Sequence, residues 1–166
     1  MKVKIIACMA NNGIIGKDGS IPWKCSDDMH FFKFMTWDRI VIMGRKTFES
    51  IPNGPLEGRT SYIITSANVD EIPFTIGKRY FNSLEEAIER AKFTEKLYPD
   101  MDDCWIIGGA SIYKQAIPLA DEIFLNVLYD DYEGDTHMPP FEDKYRLVSS
   151  KNKKNFIAEH YERIKE

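Results

Sequence analysis

The feature that most constrains this chain is an alternation. Short apolar runs at 3–10, 39–43, 60–65, 103–107 and 121–129 are interleaved with helical patterns at 27–37, 45–51, 83–93 and 110–117. Runs that are apolar at nearly every position, rather than at every second one, are typical of strands buried on both faces. Parallel neighbours of that kind need crossover connections, which helices supply. A weaker strand signal lies at 79–81, after an irregular stretch at 66–78. The last runs, 146–150 and 155–163, follow each other with no helix, across the Lys/Asn-rich turn 151–154, and should pair antiparallel at one edge. The expected fold is therefore α/β: one domain over residues 1–166, a mostly parallel central sheet with an antiparallel C-terminal edge, and about four flanking helices. No linker composition divides the chain.

Helix ends carry their own signals. Ser26 is the expected cap of the first helix, with Asp27 and Asp28 in its first turn, and Ser83-Leu84-Glu85-Glu86 resembles a capping box.

In sheets of this class, ligands bind beyond the carboxyl ends of the strands. Four stretches fall there. The first is a Gly-rich loop, residues 14–28, closed by Pro22-Trp23, which reads as a lid. The others are Gly44-Arg45, Thr65-Ser66 and Gly108-Gly109. Gly44-Arg45-Lys46-Thr47 opens a helix straight after a strand, where free backbone N–H groups and the dipole attract anions. Two cations at that end suit a phosphate ligand; the plainer reading is a solvated basic pair. The P-loop is excluded, because position 39 is Arg where that motif needs Gly, and GxGxxG is missing. Gly108-Gly109-Ala110-Ser111 repeats the strand–glycine–helix arrangement and is either a ligand approach or a tight turn. Asp28 shares a helical stripe with Phe31, Phe32 and Met35, so it is the better candidate than Asp27 for an acid turned into an apolar cleft. Arg59, after the turn Pro55-Leu56-Glu57-Gly58, is placed either to clamp a carboxylate or to face solvent.

Composition removes other classes. A net charge of −4 argues against nucleic acid as a partner. No apolar run approaches the ~20 residues of a membrane span, and the N-terminal run is too short for a secretory signal. Cys8, Cys25 and Cys104 are an odd, unclustered set, read as reduced thiols of a cytoplasmic protein, with Cys8 and Cys104 buried. The scattered His30, His137 and His160 suggest no metal site.

Taken in order, these motifs resemble dihydrofolate reductase. The residues that carry the resemblance are Ile15-Gly16 with Ile21-Pro22-Trp23, Asp28 with Phe31-Phe32-Lys33, the run from Ile42 to Ile51, Pro55 to Arg59, the run from Ile106 to Tyr113, and Glu133-Gly134-Asp135-Thr136. The match extends from Lys2 to about Glu162. It implies NADPH-dependent reduction of 7,8-dihydrofolate to tetrahydrofolate, with hydride delivered to C6 and a proton to N5. It also implies a cytoplasmic monomer that binds antifolate inhibitors and needs no metal.

The resemblance implies the following roles. Asp28 holds the pterin and assists the proton, with Trp23 and Asn126 beside it in the catalytic set. Ile6, Cys8, Met29, Phe32, Lys33, Ile51, Ile107 and Tyr113 contact the substrate, and Arg59 takes its glutamate tail. Arg45, Lys46 and Thr47 take the cofactor phosphates, with Gly44 at the turn and Thr65 and Ser66 by the adenosine. Cys8, Ile15, Gly16, Ser20, Ile21, Gly108, Gly109, Ala110, Ser111 and Ile112 contact the rest of the cofactor, and the bond between the two glycines is cis. The lid from Gly16 to Trp23 closes over the nicotinamide, and its motion or product release is expected to limit turnover.

The chain departs from the family pattern in places. Asn126 stands where threonine is usual, Ile21 where methionine or leucine is, and Ser26 where proline is common, while Asn53-Gly54 lengthens the loop before Arg59. Two other readings remain open from sequence: a reductase of a ribosylated pyrimidine, and a pterin- or nucleotide-binding protein without catalysis.

Overall fold

The computed structural model describes residues 1–165. Eight strands form one sheet in the order β5-β4-β3-β6-β1-β7-β10-β9. In chain order these are β1 (Lys2–Met9), β3 (Ile40–Gly44), β4 (Thr60–Ile64), β5 (Lys78–Phe81), β6 (Asp103–Gly108), β7 (Glu122–Leu128), β9 (Tyr145–Asn152) and β10 (Phe156–Arg163). A separate two-stranded ribbon pairs β2 (Ile14–Gly16) with β8 (Thr136–His137). The first six sheet strands pair in parallel, and β10 and β9 are antiparallel at one edge, as the alternation implies. The helices are α1 (Ser26–Thr36), α2 (Arg45–Glu49), α3 (Leu84–Leu97) and α4 (Ala110–Ala116).

The period of two along each strand divides the core. Val3, Ile5, Ala7, Ile40, Ile42, Ile106, Ile123 and Leu125 face α3 and α4. Ile6, Val41, Met43, Ile63 and Trp105 face the other way, against Phe31, Phe32 and Met35 of α1 and Phe48 of α2. The strands are thus covered on both faces, which is why their sequences lack a polar side. Helix α3 shows the logic of the covering layer. It buries Leu84, Ala87, Ile88 and Ala91, one helical stripe, and Ser83 Oγ accepts from the Glu86 backbone N–H at 3.2 Å. It runs to Leu97, a turn beyond the expected end, because nothing breaks it before Pro99.

The expected cap of α1 is corrected. Ser26 is the first helical residue and Cys25 is the cap, with no side-chain cap bond. The helix starts one residue early, and its opening donors are eased by Asp27 and Asp28 in the first turn. The ribbon of β2 and β8 has no signal in the sequence, because strands of three and two residues carry no readable period.

Candidate active site

Strands β1, β3, β4 and β6 end together on one side of the sheet, and a cleft of about 850 Å³ opens there. That volume suits a drug-sized ligand with a second group beside it. The chain doubles back at this point: β6 returns between β3 and β1 before β7 continues on the far side of β1. This is the switch point at which such sheets leave a crevice.

One wall of the cleft is apolar with a single acid. Ile6 and Cys8 come from the end of β1, Asp28, Met29 and Phe32 from α1, and Ile107 and Tyr113 from β6 and α4. Asp28 is half-buried, while Asp27 is exposed and accepts from Asn155 Nδ2 at 2.5 Å. Of the two acids, Asp28 is the one that the fold turns into the cleft, on the face it shares with Phe32. Asn126 Nδ2 donates to Asp28 Oδ1 at 2.9 Å. Burial pushes the Asp28 carboxyl above its ordinary value, and the hydrogen bonds from Asn126 and Cys8 pull it partly back. Burial, then the Asp28 charge, drives the Cys8 thiol far up, so it stays neutral. Cys8 is not the buried structural thiol that its apolar run suggested. It is partly exposed and lines the cleft, whereas Cys104 is fully buried and its thiol is pushed up to about 12, chiefly by that burial. Tyr113 fixes the two strand ends of this wall: its hydroxyl lies 2.9 Å from the carbonyls of both Ile6 and Ile107.

The opposite wall is cationic and rich in hydroxyls. Gly44, Arg45, Lys46 and Thr47 line it from the start of α2, Thr65 and Ser66 from the end of β4, and Gly109, Ala110, Ser111 and Ile112 from the start of α4. The peptide bond between Gly108 and Gly109 is cis. A side chain at Gly109 would place Cβ 3.3 Å from Thr47 Oγ1, and one at Gly44 would place it 3.1 Å from Ile112 Cγ1. The two strand-to-helix turns approach as closely as their residues permit.

Ile15, Gly16, Ser20 and Ile21 of the lid complete the mouth. The lid is tied from outside. Asp18 N donates to Asp135 Oδ2 at 3.0 Å, and Asp135 N donates to Gly16 O at 3.1 Å. A Cβ on Gly134 would come within 2.5 Å of Gly16 O, so only glycine permits this approach.

Six of the residues singled out from sequence do not line the cleft itself. Trp23 is 9% exposed and packs on Tyr132 with ring centroids 5.2 Å apart. Asn126 lies behind Asp28, and Gly108 is buried beneath its neighbour Gly109. Ile51 packs in the cluster behind α1 and α2. Lys33 Nζ lies over the Trp37 ring at 5.3 Å. Arg59 stands beside the cleft with its guanidinium 5.6 Å from the centroid of Phe32, a cleft residue, and its Nη1 donates to Thr36 Oγ1 at 3.2 Å. Conversely Ala7, Gly19, Ser50, Ile64 and Thr136 line the cleft and were not expected. Positions next to Cys8, Ser20, Ile51 and Thr65 would have indicated four of them. Thr136 comes from the ribbon; it closes the motif Glu133-Gly134-Asp135-Thr136 that carries the family resemblance, but no local pattern aims it at the cleft. Glu122, His160 and Glu162 come within 4.8 Å of one another at the other end of β7, where Lys2, Lys4 and Arg146 already meet the acids.

Comparison with known proteins agrees with this geometry. The family model described as dihydrofolate reductase matches residues 2–164. The dihydrofolate reductase of Bacillus subtilis is 36% identical over 149 residues, covering 89% of this chain and 82% of that protein. The dihydrofolate reductase of Neisseria gonorrhoeae is 38% identical over 159 residues, covering 91% and 92%. The solved structure of dihydrofolate reductase from Enterococcus faecalis, complexed with NADP(H) and RAB-propyl, superposes with a TM-score of 0.81 at 27% identity, covering 98% of this chain and 96% of that one. This chain belongs to the dihydrofolate reductase family.

Proposed function

We propose that this protein is an NADPH-dependent dihydrofolate reductase, producing tetrahydrofolate for one-carbon metabolism. The observation that carries the reading is Asp28: a carboxyl partly withdrawn from water and held by Asn126, at the apolar end of a cleft whose opposite wall is cationic. Such a pairing suits a flat, proton-accepting heterocycle on one side and a phosphate-bearing cofactor on the other.

NADPH fits the cationic wall. Arg45, Lys46, Thr47, Ser66 and Ser111 offer the donors that phosphates require, and the closeness of Gly109 to Thr47 leaves a cradle that any Cβ would crowd. Bound there, the cofactor supplies the hydride. The chain supplies the rest. Asp28 binds and orients the pterin, and its raised proton affinity favours holding the proton required at N5. Ile6, Met29, Phe32 and Ile107 exclude water from that ring, and Tyr113 keeps the ends of β1 and β6 in register beneath it. Arg59 takes the glutamate carboxylate, its guanidinium held between the Phe32 and Trp37 rings at 5.6 and 5.8 Å. The lid closes the cleft to solvent.

The protein acts as a cytoplasmic monomer whose ligands are dihydrofolate and antifolates. A net charge of −4 disfavours nucleic acid as a partner, and no helix of the described residues is long and apolar enough to cross a membrane. The test is NADPH oxidation followed at its absorbance with dihydrofolate as acceptor. Turnover that requires both compounds is expected; no turnover overturns the reading.

A further inference from the structure

We infer that Asn126, with Cys8 at its side, is a positioning residue that gives Asp28 a partner able only to donate, so that β7 and β1 set the pH range of catalysis. The inference rests on the folate-reductase reading of the cleft.

Asn126 is 2% exposed and sits on β7 directly opposite Cys8 of β1 in the sheet register. Both side chains therefore meet the underside of α1 where Asp28 enters the cleft. The Nδ2 group that approaches Asp28 Oδ1 to 2.9 Å has hydrogens and no acceptor lone pair. A hydroxyl in that place could serve either protonation state, donating to the carboxylate or accepting from the acid. The amide in this orientation serves the carboxylate alone. Its burial between β1 and β10, where Ala158 is its other register partner, opposes the rotation that would present its oxygen.

Little else offsets the desolvation of Asp28. The described residues form no salt bridge to it. From β1 it meets the neutral Cys8 thiol, which hydrogen-bonds to it. From α4 the nearest titratable group is Tyr113, whose hydroxyl is engaged by the Ile6 and Ile107 carbonyls. On its own helix, Asp27 is exposed and bonded to Asn155, and His30 is exposed. The donors on β7 and β1 are thus the main groups favouring the ionised acid.

The test uses the full chain with Asn126→Leu, Asn126→Thr and Cys8→Ala, each first checked for a cooperative melt. Two titrations are followed: the pH profile of kcat/KM, and the 13C shift of the Asp28 carboxyl in the ligand-free protein. Asn126→Leu should move both midpoints upward by about one pH unit, a tenfold gain in proton affinity. Asn126→Thr should move them less, and Cys8→Ala less again but in the same direction. Should Asn126→Leu fail to fold, the Thr and Ala variants decide. Unmoved carboxyl midpoints in the folded variants would overturn the inference. Turnover absent in every protein, wild type included, would overturn the functional reading, while the carboxyl titration would still decide the role of Asn126.

Discussion

Asp18 and Asp135 are joined across 117 positions of sequence: the backbone N–H of the first donates to Oδ2 of the second at 3.0 Å. The Thr136 hydroxyl donates to the other oxygen, Oδ1, at 2.9 Å. The same short segment, through Asp135 N and Gly134, holds Gly16. One acid thus fixes the lid to the strand ribbon, and its own proton affinity is lowered by those donors, the Asp18 amide first.

Asp135→Ala should release the lid. The Asp18 amide should exchange with solvent faster, and KM for NADPH should rise severalfold with the melting temperature little changed. The pH sign follows from the lowered proton affinity of the folded form. The latch is fully made above the ordinary carboxylate value of 3.8 and is lost as pH falls through the lower, folded value. Exchange of the Asp18 amide, corrected for its intrinsic pH dependence, should therefore lose protection only under acid conditions. Unchanged protection in Asp135→Ala would show that the latch holds nothing.

Arg59 is oriented before any ligand arrives. Its Nε donates to Glu57 O at 2.9 Å, its Nη1 reaches Thr36, and desolvation lowers its proton affinity somewhat without discharging it. Arg59→Ala should raise KM for dihydrofolate by about 10- to 100-fold, the worth of hydrogen bonds to a charged group. A dihydropterin lacking the glutamate should show no such loss. Equal losses for both acceptors would remove Arg59 from the tail site.

Arg45 lies at the head of α2 and pairs with Glu49 at 2.8 Å, an exposed i,i+4 contact that contributes little and can be exchanged for a ligand. Arg45→Ala should weaken NADPH by about tenfold or more, and NADH hardly at all. Parallel losses for the two cofactors would contradict a 2′-phosphate contact.

Asp28 should cost stability in the ligand-free protein. Its folded proton affinity is raised, so the native state binds the proton more tightly than the unfolded chain, and stability falls as pH climbs from 3.8 through the raised value. Asp28→Asn should therefore melt higher than wild type at neutral pH, and the gap should close as pH is brought down toward 3.8. A variant that melts lower at neutral pH would contradict the desolvation of this acid.

Sequence patterning and tertiary contacts divide the account between them. The sheet strands were legible because burial on both faces leaves runs such as 39–43 without a polar side, and Asp28 was legible because Phe31, Phe32 and Met35 mark the face it shares. The α1 cap lies one residue before the position that capping preference indicates, since Ser26 is the stronger capping type yet Cys25 holds the position. The latch between Asp18 and Asp135, and the cleft contact of Thr136, join segments that are distant in the chain and too short to show a period. Asn126 lies in an apolar strand where periodicity marks only burial. Its bond to Asp28 depends on α1 crossing the ends of β1 and β7, which no local pattern records; the family resemblance alone sets it beside the acid.

The most direct measurement compares wild type with Asp28→Asn in the dihydrofolate-dependent oxidation of NADPH at neutral pH, with the fold of each verified by circular dichroism. Wild type should turn over, and the variant should fall by about 10²- to 10⁴-fold while keeping its fold and its affinity for NADPH. A wild-type protein that leaves NADPH untouched, or an Asp28→Asn variant that reduces dihydrofolate at an undiminished rate, would contradict the role given to this carboxyl.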